Sequence, residues 1–552
     1  MLFKHIALLA ASTWQTARAF TPTSAATAWK SFNPGWNLGN TLDALPTEGS
    51  WNNPPVVNAT WDDIVASGFK SVRIPITFND HYISDAPNYT IDPVWLTRIN
   101  TVVDAALSRG LWAIVNVHHD SWNWADLSNN PADLNAKKTK FEKTWVQLAG
   151  LLKSKSEKLV FESLNEPVGS TLADAAQYND LNARFINVLI NSGGNNAQRI
   201  ISLPGLGDNS VYLTDWFKYP GNWQADKWGV QFHYYSPWDF GAGWWGRTFW
   251  GSAEDKAAVT SDFAQVKGNF SVPVLVGEYG TSLVGRVVEK AAGWAWYDHV
   301  VRTGIKNGFA LQFWDNGEYF NRATHQWTDV TTKNIIVAAS AGQSNTIPEN
   351  GYGTIWIKSG ATLAAQALPL QYNGNTLKGV YSGTTALKSG TDYTVTTNPT
   401  GISLTTTYLK TIVGKNLGAL GTLTIKSSSG ADLEIDIRQY SVPTIDKKAY
   451  TVTAASDLSI PVKFNGAKLA TVKAIKADGT ILKDDWTQWL GPLQAGRVNW
   501  SDDFDFSGDN LVAKASLLNA IKSSGSQPVT LTWEFWPRTD AANNVVTTVS
   551  VS

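Results

Sequence analysis

A chain of 552 residues is too long for one hydrophobic core and should divide into roughly two to four domains. Its 45 basic and 46 acidic residues leave a formal charge of -1 with no long single-sign run, so nucleic acid and anionic membranes are not expected partners and a neutral one is. Cysteine is absent, which removes disulfides, thiol nucleophiles and zinc–cysteine sites, while 27 Trp offer flat apolar faces suited to sugar rings.

Residues 1–19 have the anatomy of a secretory signal peptide. Lys4 and His5 precede the apolar run from Ile6 to Ala11, and Ala17-Arg-Ala19 supplies small residues for cleavage near Ala19. The run is too short to cross a bilayer, so an extracellular protein is expected and a membrane anchor is not. Sequons at Asn58, Asn88, Asn269 and Asn499 permit N-glycosylation in a eukaryotic host.

From Trp29 to about Ala341, short apolar runs alternate with longer stretches of helical character. The strand candidates end at Gly35-Trp-Asn-Leu-Gly-Asn40, Val72-Arg-Ile-Pro75, Ile114-Val-Asn-Val-His-His-Asp120, Phe161-Glu-Ser-Leu-Asn-Glu166, Arg199-Ile-Ile-Ser202, Val230-Gln-Phe-His-Tyr-Tyr235, Val274-Leu-Val-Gly-Glu-Tyr279 and Leu311-Gln-Phe-Trp-Asp315. Helical spacing lies between them, as in residues 95–108 with Leu96, Ile99, Val102, Val103, Ala106 and Leu107. Eight such repeats predict an α/β fold, a (β/α)₈ TIM barrel over residues 20–343, with its active site where the strands end.

Residues 341–351 are polar and turn-rich and read as a linker. From 344 to 442 apolar and polar residues alternate between Gly and Ser clusters, which predicts an immunoglobulin-like β-sandwich. Its only Trp is Trp356, so a spacer role is expected. A second β-sandwich is expected over 443–552, with Trp486, Trp489, Trp500, Trp533 and Trp536 marking a binding module. In Leu531-Thr-Trp-Glu-Phe-Trp536, strand alternation places Trp533 and Phe535 on one face and Glu534 and Trp536 on the other. Trp533 is assigned to the core, Trp489 and Trp536 to ligand binding.

The chemistry centres on two acids. Glu166 closes the fourth strand and Glu278 the seventh, so a barrel brings them to one mouth. Two carboxyl groups facing across a cleft can hydrolyse a glycosidic bond, one protonating the leaving oxygen while the other attacks the anomeric carbon; retention needs them about 5–5.5 Å apart. A single strand-end glutamate is more simply a partner for a cation. Two of them, with Arg73, His118, Asn165, His233, Tyr235 and Trp314 at other strand ends, favour catalysis. Arg73 can keep a nucleophilic carboxylate ionised, Tyr235 can hydrogen-bond it, and Asn165 can hold a sugar 2-hydroxyl. A metal site on His118, His119 and Asp120 is set aside because the spacing matches no zinc-peptidase pattern.

Gly35-Trp-Asn-Leu-Gly-Asn-Thr-Leu-Asp43, Val72-Arg-Ile-Pro75, Val117-His-His-Asp120, Leu164-Asn-Glu-Pro167, His233-Tyr-Tyr235, Gly277-Glu-Tyr279 and Phe313-Trp314 together resemble the motif set of glycoside hydrolase family 5, and the opening motif with His118-His-Asp120 is similar to its subfamily 4. The resemblance implies a retaining endo-β-1,4-glucanase without cofactor or metal, acting on β-glucan polysaccharide, and the protein is expected to be secreted and monomeric. It implies Glu166 as acid/base and Glu278 as nucleophile, with Arg73, His118, Asn165, His233, Tyr235 and Trp314 around them. Asn40, Trp122 and Trp238 join the expected substrate contacts. An acid/base that starts protonated calls for a raised pKa at Glu166 and a lowered one at Glu278. The two tail units resemble an X2-type immunoglobulin-like module and carbohydrate-binding module family 46. A xyloglucanase or β-mannanase uses the same mechanism, and a non-catalytic wall-binding protein is the alternative from another class.

Overall fold

The computed structural model describes residues 20–128, 131–281, 287–453, 456–525, 527–538 and 541–551. The expected signal peptide lies outside them.

Eight parallel strands close into a barrel in sequence order: β1 (Gly35–Asn37), β2 (Ser71–Ile74), β3 (Trp112–Val115), β4 (Leu159–Glu162), β5 (Ile201–Pro204), β6 (Trp228–Tyr234), β7 (Val274–Tyr279) and β8 (Ala310–Phe313). They fall at the apolar runs of the sequence. β5 starts two residues late because Arg199 lies outside the ladder, its guanidinium donating to the carbonyls of Ser156 and Leu159. Helices cover the outside, as a barrel buried on both faces requires. The helix Pro93–Ser108 begins where Asp92 accepts a hydrogen bond from the Val94 amide, and it turns Ile99, Val102, Val103 and Ala106 to the strands.

The barrel interior is graded from apolar to polar. At the N-terminal end Ile114, Val160, Leu275 and Ala310 pack with Trp29, Phe32 and Trp112, and the short helix Ala25–Trp29 closes that mouth. Toward the C-terminal end the inward positions become Asn37, Arg73, Glu162, Gln231 and Gln312, all fully buried. A buried polar layer must satisfy itself by hydrogen bonding, and it is from this layer that the site is built.

The segment after the barrel is not a loose tether. Ser344, Asn345, Thr346 and Ile347 are buried, Thr346 pairs with Gln371, and Asn345 donates to the carbonyls of Ser429 and Ala431. The spacer module has a five-stranded sheet, in the order Thr354–Lys358, Leu433–Tyr440, Gly418–Ser427, Leu377–Ser382, Thr385–Ala386, and a three-stranded one. The terminal module pairs a four-stranded with a three-stranded sheet. Each also carries a helix, Thr406–Ile412 and Ala515–Ser523, that the strand pattern does not announce.

The modules interlock. Glu289 of the barrel accepts the Gly353 amide at 2.8 Å, Lys290 pairs with Asp436 at 2.8 Å, and Arg538 donates to the Gly246 carbonyl at 2.7 Å. A cavity of about 550 Å³ lies at this three-way junction; neither Glu166 nor Glu278 lines it. Trp536 belongs to this joint rather than to a ligand face. It is 5% exposed and meets Phe249 and Tyr352 edge-on at 5.5 and 5.8 Å. Alternation in its strand is correct, but both faces are buried: Trp533 and Phe535 in the module core, Glu534 against Arg497 and Arg538. Asn499 is also buried, its side chain accepting the Trp245 amide, which removes it from the accessible sequons.

Candidate active site

Arg73, inside the barrel on β2, is the hub. Its Nε and Nη2 donate to Glu162 at 2.8 and 2.7 Å, its Nη1 to Glu278 at 2.6 Å and Asn37 at 3.1 Å, and Nη2 also to Asn165 at 2.8 Å. Burial alone would disfavour its charge, but Glu162 and Glu278 more than offset that and lift its pKa. Glu278 takes a second hydrogen bond from the Tyr235 hydroxyl at 2.7 Å. The Tyr235 phenol is pushed well above its ordinary pKa by burial and by Glu278, so it stays a donor.

Glu278 reaches this position through an irregularity in β7. His233 pairs with Glu278 while Phe232 pairs with Val276, leaving Gly277 as an extra residue. Such a bulge re-aims the side chain that follows it. Gly277 must lack a side chain, because a Cβ there would approach Gln231 at 2.9 Å and the His233 ring at 3.1 Å.

Opposite, Glu166 meets His233 Nδ1 at 2.8 Å, and the same nitrogen is 3.6 Å from Glu278. One oxygen of each carboxyl and a His233 nitrogen lie within 4.8 Å of one another. Burial pushes the imidazole down, but Glu278, Asp208 and Glu166 outweigh it and raise it to about 9, so it is cationic at neutral pH.

This arrangement reverses the expected order of the two acids. Burial pushes the Glu166 carboxyl up, yet the hydrogen bond and charge of His233 outweigh it and leave Glu166 below its ordinary value. Glu278 ends above its ordinary value, because burial exceeds the pull of His233 and Arg73. The two acids share one imidazolium and titrate as a pair, which residue-by-residue reading of the sequence does not see.

A cleft of about 410 Å³ lies over the pair, lined among others by His118, Asn165, Tyr235, Trp314, Trp122 and Trp238. Trp122 and Trp238 are 55% and 57% exposed at its sides, and Trp314 lies near-parallel to His118. Asn40 is kept apart. Its backbone is left-handed, its amide donates to Asn52 at 2.9 Å, and it does not line the cleft. Asp120 likewise turns away from the histidines, accepting the amides of Phe78 and Asn79, and the carboxylate beside His119 is Asp43 at 3.4 Å.

Four site residues escape the sequence reading. Asn37, Asn116 and Glu162 hold Arg73 or each other from inside the barrel, and Asp208 accepts the Glu166 amide. The first three had a signal, a polar residue in an apolar strand run. Asp208, in a Gly-rich turn after β5, had none.

The family model "Cellulase (glycosyl hydrolase family 5)" matches residues 35–320. This chain belongs to that family. The hydrolase also matches "Carbohydrate binding domain X2" over 353–437 and the CBM46 carbohydrate-binding domain over 445–551. It is 32% identical over 558 residues to Endoglucanase B of Paenibacillus lautus, covering 96% of this chain and 94% of that protein. A tri-modular subfamily 4 endo-β-1,4-glucanase from Bacillus licheniformis, solved with cellotetraose, superposes with TM-score 0.85 at 37% identity, covering 96% of this hydrolase and all of that chain. A family 5 xyloglucanase from Paenibacillus pabuli gives TM-score 0.53 at 30% identity, over 56% of this hydrolase and 99% of that chain.

Proposed function

We propose that this endo-β-1,4-glucanase is secreted and cleaves internal bonds of cellulose and mixed-linkage β-glucan by double displacement with net retention. The supporting observation is the Glu166–Glu278 pair, each with an oxygen within 4.8 Å of the other, short of the roughly 6.5–9.5 Å that leaves room for a water between them.

Glu278, held by Arg73 and Tyr235, attacks the anomeric carbon; the proton that the His233 imidazolium holds against Glu166 passes through the Glu166 carboxyl to the departing oxygen. The Glu166 charge raises the affinity of Glu278 for a proton, and like charges act reciprocally. When Glu278 becomes a glycosyl ester its charge is lost, Glu166 becomes more acidic, and it serves as the base that activates water. Asn165, fixed by Arg73, faces the cleft where a 2-hydroxyl would sit. Proton NMR of the first product should give the β-anomer; initial release of the α-anomer refutes retention.

The terminal module extends the substrate path. Trp238, Trp244, Trp245 and Trp486 form a row with successive ring centroids 6.0, 5.7 and 4.7 Å apart, which joins the barrel to the short helix Asp485–Leu490, where Trp489 is 83% exposed. Truncation after Ala341 would uncover Phe249 and Glu289, so a point substitution is the cleaner test. Trp489→Ala should lower kcat/KM on β-glucan polymer about 5-fold and leave cellotetraose unchanged. Equal effects on both argue against a polymer-binding role.

Xyloglucan is a second substrate, favoured by the likeness to the Paenibacillus pabuli xyloglucanase. Initial rates on cellulose, mixed-linkage glucan, xyloglucan, glucomannan and xylan would rank them; no reducing-sugar release from any would favour the non-catalytic reading.

A further inference from the structure

Glu166 has an unusual backbone. Its φ is +36°, a region that residues other than glycine rarely adopt, and Pro167 after it biases its predecessor toward extended conformations. Neither preference puts Glu166 where it is, so the conformation is imposed by contacts.

Those contacts come from the turn after β5. Asp208 Oδ2 accepts the Glu166 amide at 2.8 Å, and the neighbouring Gly207 amide donates to the Pro167 carbonyl at 2.7 Å. The two hydrogen bonds hold the Glu166–Pro167 dipeptide at its two ends, through the Glu166 amide and the Pro167 carbonyl. Asp208 is 1% exposed, its Oδ2 is also 3.4 Å from His233 Nε2, and that ring contacts Glu166 through its other nitrogen. One oxygen therefore touches the acid's backbone and the ring that touches its carboxyl. The turn is built to aim it there: a Cβ on Gly205 would strike Leu213 at 2.9 Å, Gly207 has φ +63°, and Asn209, not Asp208, caps the following helix Ser210–Trp216.

We infer that Asp208 is a positioning residue for the reaction: its carboxyl oxygen holds Glu166 in the left-handed conformation that presents the acid to the leaving oxygen. The inference rests on Glu166 being the general acid. The role requires an acceptor at that point, which asparagine supplies and alanine does not.

Substrate choice separates positioning from general damage. The sugar expelled from cellotetraose leaves as an alcohol and needs a proton, whereas the leaving group of 2,4-dinitrophenyl β-cellobioside departs without one. Asp208→Ala should lower kcat/KM on cellotetraose about 10²-fold and on the aryl glycoside less than about 3-fold. Asp208→Asn, run beside it with thermal melts of both variants, should return cellotetraose activity to within about 3-fold of wild type. Equal losses on both substrates with Ala, no loss with Ala, or no recovery with Asn would overturn the inference. Glu166→Ala is the control. If it too fails to spare the aryl glycoside, the acid assignment falls; if it spares it while Asp208→Ala does not, only the inference about Asp208 falls.

Discussion

Glu278→Ala should lower turnover of cellotetraose by about 10⁴-fold or more, because the variant has no group to attack the anomeric carbon. The fold should survive. Arg73 keeps two hydrogen bonds to Glu162, so removal of Glu278 does not strand its charge, and burial already works against the Glu278 carboxylate. Calorimetric titration with cellotetraose should still show binding, and the melting temperature should stay within a few degrees of wild type. Turnover near the wild-type rate would remove Glu278 from the nucleophile's role.

Arg73→Met should do the opposite to the balance of effects, unfolding the protein more readily as well as silencing it. Arg73 is fully buried and bonded to Glu162, Glu278, Asn37 and Asn165, so its loss leaves Glu162 in the barrel interior without its cation and Glu278 with His233 alone. Breaking such a buried network costs about 3–5 kcal/mol. Denaturant titration checks this, and an unchanged midpoint would contradict it. The same network makes stability sensitive to acid. Burial pushes Glu162 up, but Arg73 outweighs it and holds its folded pKa below the unfolded value. Its contribution is present above the unfolded value of about 4.3 and is lost as pH falls through the lower folded one. In Arg73→Met that acid sensitivity should weaken.

Much of the barrel is legible because its strands are buried on both faces and must be written as apolar runs, and because a strand's end is marked by the change to polar or aromatic residues. Glu166 and Glu278 stand at two such ends, and the motifs around them are specific. Glu162 was harder, since a lone acid inside Leu-Val-Phe-Glu looks like part of the strand end until Arg73 is seen across the barrel. Asp208 carries no pattern, because its role is a hydrogen bond to the backbone of a residue 42 positions away. Asn40 shows the converse: it sits in a recognisable motif, and its left-handed backbone sets it against Asn52.

The Trp-rich tail divides in the same way. Alternation correctly places Trp533 and Phe535 in a core, because period two is a local property of the strand. It cannot say what covers the other face, and Trp536 is covered by the barrel and the spacer.

The amino-acid sequence by itself determined the barrel, the two modules after it, the pair of acids and most of their polar neighbours, since each follows from periodicity or from residues close together in the chain. The tertiary structure alone decided that the two acids share the His233 imidazolium, which tryptophans meet solvent and which oxygen holds Glu166 in place. All three depend on burial and on charges brought together from distant strands, and neither distance through space nor exclusion of water is encoded in local order.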